Sequence, residues 1–244
     1  MLQTEDTCHK TDHPVLDVLH SKHSEARPPT VQSLEACGGK PPEMVPVKIT
    51  DVTVATVARQ LSGSAGPGEV ESISLQHWLL RFGVASLGLQ QIFGEFGDWM
   101  ANGRPPWEAY RALMLGRFIG LDKCPGVRPV GVGKTWRRML TKYVLVVTRE
   151  EAKEACGTEQ ICGGLEVGIE GGVHAVRLLW QQHAQEEDWG FLLIDMHNVF
   201  NENNRTAMLW AVRNEWPSGA RFIFNCYRHW ATLMIRARDS TVKK

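Results

Sequence analysis

The chain has 244 residues with 27 Lys/Arg balanced by 27 Asp/Glu, enough for one large domain or two small ones. Its 43% hydrophobic content is that of an ordinary globular protein, and no run approaches the ~18 apolar residues of a membrane span or forms an apolar signal segment. Six cysteines without a C-x-x-C pair read as free thiols of a reducing compartment, so the expected location is intracellular, cytoplasm or nucleus, and a disulfide scaffold is set aside.

Residues 1–50 are rich in Pro, His, Ser, Thr and charge, with no sustained period, and read as a mostly disordered leader. Val52, Val54 and Val57 begin a short helical or extended element ending at Leu61, and Ser62–Gly68 is a loop. Ser72 or Ser74 can cap the next helix, which carries Leu75, Trp78, Leu79 and Phe82. A second helix runs from about Ser86 to Met100, with Leu89, Ile92, Phe93, Phe96 and Met100 on one side. Trp107–Leu115 reads as a short helix before a strand at Arg117–Leu121. Two β-prone pieces around Pro125-Gly126 suggest a hairpin. Trp136–Val147 reads as a basic amphipathic helix, and Gly163–His183 as another. Trp189–Asp195 is expected as a strand, Glu202–Asn214 and Phe222–Trp230 as helices, and Ala231–Ala237 as a last strand.

Net charge is zero but unevenly placed. Residues 104–149 carry 10 Lys/Arg against 2 Asp/Glu, while the flanking regions are slightly acidic. Such a segment suits a polyanion, a nucleic-acid backbone or a triphosphate; it equally suits a solvated face balanced from elsewhere in the fold.

Several motifs are lures. Gly131-Val132-Gly133-Lys134-Thr135 approaches a phosphate-binding loop, but Arg128 stands where that motif needs its first glycine. Cys8 with His9, His13, His20 and His23 lacks the paired spacings of a structural zinc site. The informative run is Phe191-Leu192-Leu193-Ile194-Asp195, followed by Met196 and, five residues after the acid, Phe200. A carboxylate at the end of an apolar strand needs a cation, an arginine or an open cleft. Magnesium shared with substrate phosphates answers that need; a helix cap at Asp195 with Phe200 in the core is the other reading.

Four segments in order carry a resemblance: Ser62–Gly68; Phe118–Lys123 with Arg128–Gly133; Trp136–Lys142; and Phe191–Asn201. Over roughly residues 52–238 the chain resembles the N-terminal part of a reverse transcriptase domain of the non-LTR retrotransposon type. The resemblance implies an α/β (α+β) fold, right-hand polymerase fingers and an incomplete palm, with helices on a small, mostly antiparallel sheet. It divides the chain into a disordered leader (1–50), a fingers-like region (51–185) and a partial palm (186–244). It implies Asp195 as catalytic carboxylate, and Asp195 with the Met196 carbonyl as ligands of Mg2+. Lys123 and Arg128 would hold the triphosphate, Phe200 would select deoxynucleotides, and Arg137, Arg138 and Lys142 would touch nucleic acid. The partners implied are an RNA or DNA template-primer and dNTP.

The resemblance also has a gap. A Gln-Gly motif and an aromatic-x-Asp-Asp hairpin are usual after the first palm motif, and no Q-G or D-D dipeptide follows Asp195. The expectation is therefore a truncated reverse-transcriptase-like protein of a mobile element, incomplete as an RNA-directed DNA polymerase. The alternatives are a non-catalytic nucleic-acid-binding fragment and an inert globular relic.

Overall fold

The computed structural model describes residues 13–23, 27–123, 126–157, 160–164, 166–195, 202–236 and 242–243. Helices surround a small mixed sheet, so the α/β expectation holds at that level. The helices are α1 (Val15–Ser21), α2 (Val31–Glu35), α3 (Asp51–Arg59), α4 (Ser72–Leu80), α5 (Val84–Asn102) and α6 (Trp107–Met114). After the strands β1 (Gly116–Asp122) and β2 (Val127–Gly133) come α7 (Thr135–Val147), α8 (Arg149–Cys156), α9 (Ile161–Gly164) and α10 (Gly168–His183). The chain continues through α11 (Arg205–Glu215), α12 (Pro217–Tyr227), β3 (Leu233–Arg236) and β4 (Val242–Lys243).

The larger core is built on α3. Thr50 caps it, its hydroxyl accepting from Thr53 N–H in a capping box. Val54, Val57 and Ala58 recur at helical spacing and are fully buried. They share one buried cluster with Leu79 of α4, Tyr110 and Met114 of α6, Met139, Leu140 and Tyr143 of α7, and Phe222 of α12. Extended residues 47–49 are fastened along α5. Asn102 accepts from Val47 N–H and donates to the Val47 carbonyl, each at 2.8 Å, and Asp98 accepts from Ile49 N–H.

The buried face of α5 differs from the expected one. Ser86, Gln90, Gly94, Gly97, Met100 and Ala101 are buried, whereas Ile92 and Phe96 are exposed and Leu89 and Phe93 lie half-covered at the edge. The reason is backbone proximity. A Cβ at Gly94 would lie 3.2 Å from the Ile49 carbonyl oxygen, so the face that approaches most closely carries the smallest side chains.

The sheet has the order β2-β1-β3-β4. β1 and β2 form the expected antiparallel hairpin, Gly116 opposite Gly133 through Asp122 opposite Val127. β3 joins β1 in parallel, Phe118 opposite Ile235, and β4 pairs antiparallel with β3. On β1 the burial alternates, placing Gly116, Phe118 and Gly120 on one covered face.

Helix α1 covers that face. Val15, Val18 and Leu19 pack on Phe118 and Val127, forming a second, smaller core. Within residues 1–50, expected as a mostly disordered leader, the described residues thus include a helix packed on the sheet. An amphipathic turn of seven residues was too short to show a period, and only the sheet reveals what its apolar side covers.

A second correction concerns residues 189–195, expected as a strand. They run without regular structure, and Leu192, Leu193 and Ile194 are 83%, 91% and 75% exposed. Trp189 stacks on His183 at 4.5 Å and Phe191 on Trp180 at 5.8 Å, so the aromatic end folds back on α10. The position beside β3 is held by β4.

Candidate functional site

A cleft of about 1040 Å³ opens where α1, residues 27–33, one end of the sheet and the start of α11 converge. Phe118, Leu233 and Ile235 give it an apolar floor, and Tyr227 and Trp230 an aromatic wall. His20 and His23 line it from α1. Arg27, Arg137 and Arg205, from three distant parts of the chain, line it together with one carboxylate, Glu202.

Local chemistry orients these groups. The Leu19 carbonyl can only accept, so His23 Nδ1 carries the proton it donates there at 2.9 Å, and the ring meets Phe118 edge-on at 4.7 Å. Asn204 caps α11 by accepting from Ala207 N–H, which sets Arg205 and Thr206 at the rim. Arg205 Nη1 donates to the His229 carbonyl at 2.9 Å. Arg111 lies 4.2 Å from the Trp230 ring centre and fixes it. The guanidiniums of Arg27 and Arg137 have no hydrogen bond or ion pair among the described residues. A cation-rich cleft with an apolar floor and aromatic wall suits a ligand with a flat ring and a phosphate.

Behind Arg137 the core holds a buried pair, the Tyr110 hydroxyl and the Cys226 thiol, 3.9 Å apart. Burial raises the pKa of both, that of Cys226 to about 11, against the opposing field of Arg137. Both stay protonated at neutral pH, so Cys226 is a packed thiol and not a nucleophile.

The residues singled out from the sequence are dispersed. Of the site residues the resemblance implies, Arg137 alone among the described residues lines the cleft. Lys123 and Arg128 are exposed near the free end of the β1–β2 hairpin, where Lys123 N–H closes the turn on the Gly126 carbonyl. Arg138 and Lys142, expected at a nucleic-acid backbone, make hydrogen bonds within the chain. Arg138 donates to the carbonyls of Ser62 and Ser64 and to the hydroxyls of Ser72 and Thr135, and Lys142 donates to the Gln60 carbonyl. With Arg117, which donates to the Ala65 carbonyl, they clamp the 60–65 loop. Gly66 completes that docking, because a Cβ there would collide with the Gly133 carbonyl.

Asp195 is exposed and does not line the cleft; Met196 and Phe200 lie outside the described residues. Among the described residues no group of three or more His, Cys, Asp or Glu is placed to hold a metal ion. Sequence reading missed Arg27 and Arg205. His20 and His23 had been considered only for zinc. The sole local signal was the Asn204 cap, because the cleft joins segments about two hundred residues apart.

No known protein family, curated protein or solved structure matches the chain. Among the described residues no helix is long and apolar enough to cross a membrane.

Proposed function

We propose that the chain is a nucleic-acid-binding protein of the reverse-transcriptase type, whose fingers-like hairpin and adjoining cleft hold the phosphates of a template-primer or an incoming nucleotide. The observation that carries this reading is the β1–β2 hairpin. It presents Lys123 and Arg128, exposed and without ion-pair partners among the described residues, on an antiparallel ladder that leads into α7. Lysine supplies a compact charge and arginine a bidentate fork, the pairing that phosphate recognition uses. Arg27 and Arg137 extend the positive surface into the cleft.

Binding is the function proposed for the described residues. Phosphoryl transfer on two metals needs several carboxylates in one cleft, and Asp195 alone does not supply them. The proposal therefore assigns no chemical step to a metal.

The test is fluorescence anisotropy of a labelled primed RNA–DNA duplex with increasing salt. The folded chain should bind in a salt-dependent, sequence-independent way. Replacing both Lys123 and Arg128 with Gln should weaken binding about tenfold or more and shallow the salt slope by about two. A folded chain that does not bind, or binds equally well at all salt concentrations, defeats the reading and leaves an inert globular domain. Magnesium-dependent primer extension that is lost in Asp195→Asn would extend the function to polymerisation.

A further inference from the structure

Away from the cleft, four arginines gather with no acid among them. Arg221, Asn225 and Arg228 follow one another at helical spacing on one side of α12 and its C-terminal cap. Asn225 Nδ2 donates to the Gly103 carbonyl at 3.1 Å, and Arg228 Nη2 donates to the Pro105 carbonyl. This side of α12 therefore faces the 103–105 turn and brings in Arg104. Helix α11 packs along α12 and adds Arg213. Arg228 is further positioned by the Trp107 ring, 5.8 Å from its guanidinium carbon.

None of the four has an ion-pair partner among the described residues. The carboxylate that does reach α12, Glu151, accepts from Ser218 N–H. Two guanidinium nitrogens, Arg213 Nη1 and Arg228 Nε, are buried and lack a hydrogen-bond partner among the described residues. Buried donors left unsatisfied are costly, and like charges at close quarters repel. Burial, and then Arg104, Arg213 and Arg228, lower the pKa of Arg221. The fold thus maintains a concentration of positive charge that no acid among the described residues offsets.

We propose that this corner, formed by Arg104, Arg213, Arg221 and Arg228, binds a multiply charged phosphate: a pyrophosphate or a terminal phosphomonoester. A carboxylate would offset one charge and offers two acceptor oxygens. A phosphate with two or more charges offers at least three acceptors to the planar forks and offsets more of the repulsion. The site shares no residue with the hairpin or the cleft and does not rest on the function proposed above.

The experiment is calorimetric titration of the full chain with pyrophosphate, against sodium chloride at matched ionic strength. Wild type should bind pyrophosphate, and Arg221→Gln should weaken binding at least tenfold. Arg104→Gln, on an exposed residue whose loss leaves packing intact, should do the same if the inner variant fails to fold. Lys123→Gln with Arg128→Gln should leave the affinity unchanged, which separates this site from the hairpin. Competition by a 5′-phosphorylated oligonucleotide, but not its 5′-hydroxyl form, identifies a polynucleotide end as the source; no difference between the two identifies a free phosphate compound. Absence of pyrophosphate binding at matched ionic strength, or equal affinity in wild type and Arg104→Gln, overturns the proposal.

Discussion

Cys226 shows how burial converts an ionisable group into a pH-dependent stability term. Desolvation raises its pKa from 9.0 to about 11. Between those values the unfolded chain loses the proton and the folded chain keeps it. The contribution is fully present below pH 9 and is lost as pH rises toward 11, at about 1.4 kcal/mol per pH unit. Urea unfolding under reducing conditions at pH 8, 9 and 10 should show stability falling across the last step. In Cys226→Ala that alkaline slope should be flatter, whatever the substitution costs in packing; equal slopes would mean that the thiol is not desolvated. Arg138 makes a different point at the same scale. A basic residue on a basic helix invites a partner outside the protein, yet both of its terminal nitrogens donate within the chain, to the 62–64 loop, Ser72 and Thr135.

At the scale of the element, α5 is read wrongly when hydrophobicity alone defines its inner face. Its glycines separate two effects. At Gly88 an added Cβ meets nothing within 4 Å, whereas at Gly94 it meets the backbone of Ile49 and Thr50 at 3.2–3.3 Å. Both substitutions to Ala gain about 1 kcal/mol of helix propensity. Overpacking against backbone costs about 1–3 kcal/mol, and only Gly94 incurs it. Chemical denaturation should therefore find Gly88→Ala more stable than wild type and Gly94→Ala less stable than Gly88→Ala by about 1–3 kcal/mol. Equal gains in both would show that α5 can move away from residues 49–50.

For the whole molecule, the important division is between two cores. The larger one joins α3, α5, α6, α7 and α12; the smaller one sits between α1 and the sheet and forms one side of the cleft. Leu19 is nearly fully buried in the smaller core. Leu19→Ala should cost about 2–5 kcal/mol locally. Hydrogen exchange should then lose protection first at α1 and the β1–β2 hairpin, with α3 and α7 still protected. Simultaneous loss throughout would mean that the two cores unfold as one.

Local pattern alone established much of the architecture. The β1–β2 hairpin, α6, α7, α11 and β3 were legible, because hydrophobic period, capping residues and Pro/Gly punctuation act over a few neighbouring residues, whereas α3 was read as helical or extended and α12 starts at Pro217, five residues before the expected Phe222. Lys123 and Arg128 could be placed on the hairpin for the same reason. Long-range packing decided the rest. It selected the small-residue face of α5, ordered α1 on the sheet, drew Trp189 and Phe191 onto α10 in place of a strand, and tied Arg138 and Lys142 to the 60–65 loop. The cleft and the arginine corner also arise from tertiary contacts, since each joins segments more than a hundred residues apart. Which charges meet, and which are left without a partner, depends on distances in space that no local period encodes.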